Sequence, residues 1–528
     1  MNHRVAPLLP IAAGLCLATE VRYYDDALPT TMNPMFARTS VDFRTADLVF
    51  DRLVYRNEIT QELQSDVLAM DESGAFRAEY PSDVTVQLYV RDGITWHDGV
   101  PFDADDVCFT LNAMLDEQTP SPVAQPFRLA IDHCATAPDH KSFGVTFRRV
   151  FAEPLAQLQF HVLPKHAFNP DWGPVSPDLD FSSRPIGTGP MSASRGRKSV
   201  AFTAYPNGHH HAQIASLSMS EGTDPFLAVR RLINGDVHGL VNLPRALQTD
   251  VIESKVATVK STGSEGFLYI AVNTNKGPLA DRRVRQALNL TIDRTTLREV
   301  TVGSGPTNPE PELVSGPFTA TSPYYNRQVP AIEHADPARA EALLVEAGAV
   351  RREGRWLWND EVIAFKIGIH APLDVEANDV LRQLQNELEQ AGFSTEVYKI
   401  SQDEWARKVV TGQMTDFDLF VGSWRVGRMS SVQSMFHSRT EDGLGALNIF
   451  NYKDADTDKL LDRFDAAKTD VEARDQYRVL HAHLAEDLPY LYLWSVDRRS
   501  AWRNEVQDVT IGSDRYFGTF DEWHVAAP

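Results

Sequence analysis

The chain has 528 residues, 43% of them hydrophobic and 23% charged, with a formal net charge of −21. A chain of this length exceeds what one hydrophobic core organises, so two or three domains are expected. The negative charge argues against nucleic acid or an anionic membrane surface as partner. We interpret it as a source of solubility, with attraction of a cationic ligand as the alternative.

The N-terminal segment has the pattern of a secretory signal peptide. Residues 1–4 carry positive charge, and residues 7–18 are apolar and end in small side chains, which predicts residues 1–18 as a signal with cleavage near Ala18. Cys16 raises the alternative of a lipid-anchored protein, although Leu15 stands where a small residue normally precedes such a cysteine. A buried N-terminal strand is the remaining interpretation.

The first part of the mature chain predicts strands separated by sharp breaks. Residues 21–24 form a predicted strand, and the prolines at 29 and 34 break it into a loop. Alternating side chains predict strands at 85–90 and 142–147. Between them, a strand ends at Trp96, Gly99 allows a tight turn, and Asp103 with Asp106 caps a helix.

The second part alternates strands with helices. Phe365, Ile367 and Ile369 predict a strand, which is followed by a helix that Gly392 ends. Residues 394–400 and 417–421 predict two more strands. Strand, helix, strand, helix, strand is typical of a mostly parallel sheet with covering helices. The helix presents one apolar face, formed by Val380, Leu381, Leu384 and Leu388.

Two cysteines remain in the mature chain, Cys108 on a predicted helix and Cys134 near a predicted strand. In an oxidising compartment they can form a disulfide. Spacing does not show whether their Cβ atoms meet, so a disulfide and two buried free thiols stay open. Neither cysteine lies near an obvious base, so catalysis is not expected of them.

Several motifs occur in one order along the chain. The run Trp96-His97-Asp98-Gly99, within 94–110, resembles the signature of family 5 extracellular solute-binding proteins, the dipeptide-, oligopeptide- and nickel-binding receptors of ABC importers. Further stretches resemble elements of the same family in the same order: 163–166, 185–190, 269–273, 281–288, 292–294, 336–348 and 487–490.

The resemblance implies an α/β fold of the type II periplasmic-binding-protein class. In that fold two lobes close over a ligand, and an extra subdomain is inserted in the first lobe. On this pattern the first lobe is discontinuous and comprises 19–47, 184–266 and 487–528. The inserted subdomain is 48–183 and the second lobe is 267–486.

Ligands of open α/β sheets bind beyond the carboxyl ends of strands, which indicates two loops here. One holds Thr31, Met32 and Asn33, after the opening strand. The other is expected at 422–428, after strand 417–421. Trp424 could supply an apolar wall with an N–H donor, and its alternative is core packing. Arg425 could bind a carboxylate with two parallel hydrogen bonds. The candidate ligand-binding residues are Thr31, Met32, Asn33, Ser423, Trp424, Arg425 and Arg428.

The sequence departs from its peptide-binding relatives at Gly427. Those relatives carry an aspartate a few residues after the matching tryptophan, where it pairs with the free amino group of the peptide. Burying an ammonium group without a counter-charge costs several kcal/mol. Ordinary free-amine peptides are therefore doubtful, and an anionic, amine-blocked or sugar-like ligand is favoured, unless a carboxylate from another loop takes the role.

Two patterns resemble metal sites but predict none. His209, His210 and His211 are adjacent, and neighbouring histidines on one loop rarely converge on one ion without further ligands. Asp454, with the acidic residues that follow it, resembles a calcium loop, but Lys459 stands where glycine is required, so a helix start is predicted. We expect no cofactor and no catalytic residue.

The leading interpretation is a periplasmic or extracellular receptor, anchored through Cys16 if it is a lipoprotein, that delivers a small organic or peptide-like solute to an ABC permease. We expect a monomer that works by hinge closure. The alternatives are a ligand sensor of the same fold for a membrane receptor, a nickel-chelate binder, and a hydrolase with its site in loops. No nucleophile–base pair supports the hydrolase.

Overall fold

The computed structural model describes most of the chain, and the predicted signal peptide with Cys16 lies outside the described residues. Among the described helices, none is long and apolar enough to cross a bilayer. The described residues are 20–57, 60, 62–151, 153–168, 179–222, 224–302, 311–320, 322, 324–370, 375–401, 404–405, 407–408, 413–425, 432–440, 445, 447–467 and 470–526.

The elements are numbered in chain order. The strands are β1 Val21–Asp25, β2 Tyr55–Arg56, β3 Leu63–Gln64, β4 Ala78–Ser82, β5 Thr85–Tyr89, β6 Ile131–Thr136, β7 Ser142–Phe147, β8 Met191–Arg195, β9 Ser199–Ala204, β10 Ser216–Glu221, β11 Gly239–Leu240, β12 Ala257–Val272, β13 Val350–Arg352, β14 Arg355–Trp358, β15 Glu361–Val362, β16 Ala364–His370, β17 Ser394–Ile400, β18 Leu419–Arg425, β19 Tyr490–Arg503, β20 Val506–Gln507 and β21 His524–Val525. The α-helices are α1 Ser40–Val49, α2 Ala104–Leu115, α3 Gln125–Ala130, α4 Leu179–Ser183, α5 Pro225–Asn234, α6 Gln248–Ser254, α7 Arg282–Thr291, α8 Arg294–Val302, α9 Pro337–Ala347, α10 Val375–Gln390, α11 Gln433–Phe436, α12 Ala455–Asp465 and α13 Asp470–Asp487.

The largest sheet has the strand order β17-β16-β18-β12-β19-β11-β1-β10-β9-β8. We call β11, β1, β10, β9 and β8 the first half of this sheet, and β18, β16 and β17 the second half. Within the second half the three strands are parallel, as the alternation of strands and helices predicts. The long strands β12 and β19 lie between the halves and run antiparallel to each other.

A separate four-stranded sheet, β4-β5-β7-β6, lies in the segment predicted as an inserted subdomain. Its buried side chains are continuous with those under β1, β8, β9 and β10, so one hydrophobic core serves both. Helix α2 packs on this sheet, and Cys108 on α2 forms a disulfide with Cys134 on β6, with Cα atoms 5.2 Å apart. The disulfide is therefore the alternative that the structure selects.

Buried side chains of β12 and β19 in the second half separate onto two faces. On one face Leu268, Ile270, Leu491 and Leu493 pack with α7, α8 and α10. On the other face the alternate residues, among them Phe267, join an aromatic-rich cluster with α11, α12 and α13. The period-two alternation of a strand with both faces covered explains this division.

Several local predictions are confirmed. Strands β7 and β17 have the predicted bounds, and Asp103 forms a capping box with Asp106 at the start of α2. Asp454 caps helix α12, as predicted in place of a calcium loop. The strand predicted at 417–421 was placed too early, because β18 runs from Leu419 to Arg425. Gly422 and Ser423 end the apolar run in the sequence, but their backbones continue to pair with β12.

Candidate functional site

Strands β12 and β19 are the described strands that pass from one half of the sheet to the other. At one end of the pair, Ala257 and Ala501 are buried in a small core with α5 and α6. At the other end, Ile270 and Leu491 are buried in the second-half core. The stretch between these cores is therefore the part of the pair that links the two halves of the sheet.

The ladder between β12 and β19 is irregular in this middle stretch. The pairing shifts register between Ser261 and Ser264, again between Ser264 and Gly266, and once more between Phe267 and Tyr269. Bulges interrupt hydrogen bonding and bend strands. The ladder is therefore irregular from Ser261 to Tyr269, which includes the stretch between the cores and extends into the aromatic-rich cluster that contains Phe267 and Tyr269.

The carboxyl end of β11, in the first half of the sheet, and that of β18, in the second half, point at each other across this stretch. Strand β11 ends at Leu240, which lies opposite Ala501, and Ala501 lies opposite Val259 of β12. Strand β18 runs the other way and ends at Arg425, opposite Gly266. Along β12, these two levels are roughly 20 Å apart at about 3.3 Å per residue. The strand ends thus border a gap whose floor is the irregular ladder, which is where open α/β sheets bind ligands.

Charged side chains line the first-half border of the gap. Asp25 ends β1 and Asp26 directly follows it, and the guanidinium of Arg44 contacts both carboxylates. Arg498 of β19 lies 3.4 Å from Asp26. Burial lowers the pKa of Arg44, but the adjacent Asp25 outweighs burial and raises it above its ordinary value. Arg44 therefore remains charged, and the side chain of Asp26 is 37% exposed.

A second group of polar contacts lies on the floor. The carboxylate of Asp497 accepts hydrogen bonds from Arg245 at 2.6 Å, from the Ser261 hydroxyl at 2.8 Å and from Arg499 at 3.1 Å. These contacts join β19, β12 and the segment after β11 at the level of the register shifts. The group holds the floor together on the first-half side.

The side chains of the first predicted loop are buried in the protein. The Thr31 hydroxyl is 2.8 Å from that of Ser182, Met32 is buried, and the Asn33 side chain accepts from the Met35 N–H to begin a short 3₁₀ turn. These side chains fix the path of the loop after β1. Contact of Thr31, Met32 or Asn33 with a ligand stays a prediction, and their burial favours a role in shaping the loop.

The predicted second loop begins later than expected. Ser423, Trp424 and Arg425 are the last residues of β18 and not part of a loop. Ser423 is exposed, and Trp424 is half-buried against the aromatic-rich cluster, so it combines core packing with an accessible edge. Gly427, Arg428 and the Arg425 side chain lie outside the described part of the structure, and their roles stay predictions.

Sequence reasoning missed Asp26, Asp497 and Arg498. Each lies on or directly after a long strand, where alternation shows only that a position faces a surface. The strand-end rule could have indicated Asp26, because it directly follows β1. No local pattern indicates Asp497 and Arg498, since their place on the floor follows from the register of β12 with β19.

Comparison with known families gives one match. Residues 80–443 match the family described as bacterial extracellular solute-binding proteins, family 5, middle region. The match runs from within β4 to the region after α11, and so includes β12 of the floor and the second-half border of the gap, but not β19.

Similar proteins span nearly the whole chain. The oligopeptide-binding protein AppA of Bacillus subtilis (strain 168) is 21% identical over 94% of this chain and 90% of its own length. Di/tripeptide-binding protein 1 of Pseudomonas aeruginosa (strain UCBPP-PA14) is 23% identical over 97% of this chain and 95% of its own.

Two solved structures show the same fold. Bacillus subtilis AppA in complex with a nonapeptide superposes with a TM-score of 0.76 at 18% identity, covering 96% of this chain and 99% of that one. NikZ from Campylobacter jejuni in complex with Ni(L-His) gives 0.75 at 20% identity, with the same coverage of 96% and 99%.

Proposed function

The chain belongs to family 5 of the bacterial extracellular solute-binding proteins, which bind solutes and are not catalysts, and from that premise we propose that it is the substrate-binding receptor of an ABC importer. The solute is captured between the two halves of the large sheet. The observation that carries this proposal is the opposition of the β11 and β18 carboxyl ends across an irregular ladder.

Closure supplies the mechanism. A solute that contacts both borders of the gap binds the closed form better than the open form, and this difference in affinity shifts the equilibrium toward closure. Bending is concentrated where β12 and β19 lose register, because each end of the pair is fixed in its own core. The permease then recognises the closed form, and no covalent step is required.

The proposed solute is peptide-like or another small organic molecule. Trp424 offers an apolar edge, Ser423 a hydroxyl, and Arg425 and Arg428 are assigned the binding of an anionic group. Gly427 withholds the carboxylate that a free amino group needs, so an anionic or amine-blocked solute is favoured. Asp26 is the carboxylate that could substitute, but Arg44 and Arg498 already neutralise it.

A metal chelate is the second candidate solute. NikZ was solved with Ni(L-His), and NikA from Brucella suis, which superposes with a TM-score of 0.81 at 17% identity, was solved with Fe(III)-EDTA. Chelates of this kind carry carboxylates, so they suit the same arginines. We assign the protein to the periplasm or the cell exterior, as a monomer, with a lipid anchor at Cys16 as the alternative to a cleaved signal.

Native mass spectrometry of untagged residues 19–528, purified without denaturant, tests the proposal. We expect a retained small molecule that is lost on partial unfolding, and its mass formula separates a blocked or anionic peptide from a chelate. A zwitterionic free-amine peptide would contradict the inference from Gly427. If the protein is purified empty, thermal-shift screening with peptides, sugars and nickel chelates follows, and a hit should reduce the radius of gyration in small-angle X-ray scattering.

A further inference from the structure

A second cluster of polar side chains lies apart from the gap. Asp51 follows α1, while His209 and His210 lie in the turn after β9. Their side chains are 3%, 9% and 12% exposed, respectively. His210 Nε2 is 2.9 Å from Asp51 Oδ1, and His209 Nε2 is 3.0 Å from Asp51 Oδ2. In the fold, Asp51 is therefore placed to be the further ligand that the run of histidines lacks in the sequence.

His209 is unusual among the described side chains because neither ring nitrogen makes a hydrogen bond although both are buried. Its Nε2 is close to Asp51 Oδ2, yet the pair lacks hydrogen-bond geometry, and this oxygen also has no hydrogen-bond partner in the described structure. Buried polar atoms are normally paired, since leaving them unpaired costs free energy. A nitrogen and an oxygen that face each other without a hydrogen bond fit two ligands of one cation.

The surroundings of His210 support the same assignment. Its Nδ1 donates to Asp521 Oδ2 at 2.6 Å, which orients the ring and leaves Nε2 toward Asp51. Metal-binding histidines commonly donate their second N–H to a carboxylate in this way. Ligand atoms of Asp51, His209 and His210 all lie within 4.8 Å of one another, as they must to share an ion.

We propose that Asp51, His209 and His210 form a binding site for one divalent transition-metal ion, with Asp521 orienting His210. Two imidazole nitrogens and one carboxylate oxygen suit Zn²⁺ and related ions, and disfavour Mg²⁺ and Ca²⁺, which prefer oxygen ligands. An adjoining open pocket, lined by His211, Gln213, Asp508 and Glu522 among others, gives the ion a route from solvent.

The site shares no residue with the solute gap. The ligands lie after α1 and β9, and Asp521 lies near the C-terminal end of the described chain. None of these elements belongs to the second half of the sheet. A bound ion would thus join segments that are distant in sequence within the first half, and it would stabilise that half whether or not solute is present.

The competing arrangement needs no metal. Burial lowers the pKa of His210, but Asp51 and Asp521 outweigh burial and raise it to about 10, so the ring can act as an imidazolium bridging two carboxylates. That arrangement leaves His209 without a hydrogen-bonding role, whereas a metal ion uses it. Replacing His209 therefore distinguishes the two arrangements.

The test uses untagged residues 19–528 stripped with a chelator and then titrated with Zn²⁺ alone by calorimetry, with Mg²⁺ in parallel. We expect one equivalent of Zn²⁺ and a higher melting temperature, and no response to Mg²⁺. His209→Asn should weaken Zn²⁺ binding at least 100-fold, and Asp521→Asn about 10- to 100-fold. His133→Asn is the matched control, because His133 is exposed and pairs with Asp132 at 2.8 Å on the surface.

Folding of each variant is checked by circular dichroism in chelator. If His209→Asn does not fold, the visible spectrum of the Co²⁺-loaded wild type reports whether nitrogen and oxygen ligands surround the ion. Absence of stoichiometric Zn²⁺ binding, or unchanged affinity in a folded His209→Asn protein, would overturn the proposal. Since the site shares no residue with the solute gap, His209→Asn should keep any solute that the wild type retains, which separates this test from that of the receptor function.

Discussion

The indole N–H of Trp96 donates to the carboxylate of Asp106 at 3.0 Å. The same carboxylate accepts from the backbone N–H groups of Asp103 and Lys165. One buried side chain thus holds together the tight turn at Gly99, the start of α2 and the segment after residue 162. The run that identifies the family in the sequence is, in the structure, a junction of three segments around one acceptor.

Replacing Asp106 by alanine should therefore destabilise the fold strongly. Three donors would lose their acceptor in a buried place, at roughly 1–3 kcal/mol for each donor that water does not reach. We expect a loss of about 3 kcal/mol in the free energy of unfolding, measured by urea denaturation. Asp105→Ala is the control: Asp105 is adjacent on the same helix turn but bonds the exposed Lys165 ammonium, so it should cost under about 1 kcal/mol. Equal losses would contradict this account of Asp106.

The disulfide should contribute measurably to stability. Cys108 and Cys134 are 26 residues apart. A disulfide that closes a loop of that size lowers the entropy of the unfolded chain and so raises the free energy of unfolding by about 3 kcal/mol. Cys108→Ala/Cys134→Ala should lower the urea midpoint accordingly. Adding reductant should lower the wild-type midpoint to a similar value and leave the double variant unchanged. If reductant left the urea midpoint of the wild type unchanged, the result would show that the disulfide does not form in solution.

Acid should destabilise the protein through His481. Burial lowers the pKa of this fully buried histidine to about 4, while the unfolded chain titrates near 6.5. Its Nδ1 accepts from the Asn326 N–H at 3.1 Å, which requires the neutral ring. Because the unfolded state binds the proton more readily, the stabilising contribution is complete above about pH 6.5 and is lost as the pH falls toward 4.

The expected size of this effect is about 2 kcal/mol between pH 7 and pH 5. His481→Gln keeps an acceptor and a donor but does not titrate, so its unfolding free energy should fall less over the same interval. The difference between wild type and variant at the two pH values is the measurement. Parallel pH profiles for both proteins would rule out His481 as the source.

Trp424 should contribute to solute affinity. Trp424 is the last residue but one of β18, and its ring is half-buried. Removing a contact of this ring with the retained solute should weaken binding about 10-fold or more. Trp424→Ala is to be compared by calorimetry with Trp358→Ala. Trp358 is also partly buried but lies on β14, in a small separate sheet, so its loss should leave affinity unchanged. An unaltered affinity in Trp424→Ala would remove this residue from the site.

Local sequence patterns predicted those elements in which the backbone pairing and the burial of side chains follow the same pattern. Strand β5 and helix α10 are examples, because the alternation of β5 and the single apolar face of α10 each reflect burial against one neighbouring core. Strand β18 was misjudged at its end, since Gly422 and Ser423 interrupt the apolar pattern while the backbone pairing with β12 continues. Backbone pairing that does not depend on apolar side chains cannot be recognised from the hydrophobic pattern of the sequence.

The gap and the histidine cluster could be predicted only in part. The strand-end rule directed attention to the segments after β1 and toward β18, but it could not show that Asn33 turns inward as a cap. The pairing of Asp51 with His209 joins residues far apart in the chain, and it depends on how α1 and the β9 turn pack. Distances of this kind follow from the whole fold and not from any window of sequence.

The separation of the opposed strand ends also sets a length scale for cargo. An extended peptide rises about 3.3 Å per residue, so roughly six residues would reach from the level of Leu240 to that of Arg425 without any movement of the halves. A dipeptide or a compact chelate is much shorter and must draw the two borders together. A shorter solute therefore requires a larger closing rotation of the two halves, although it makes fewer contacts with them. The length of the molecule that co-purifies will indicate how wide the gap is in the empty protein.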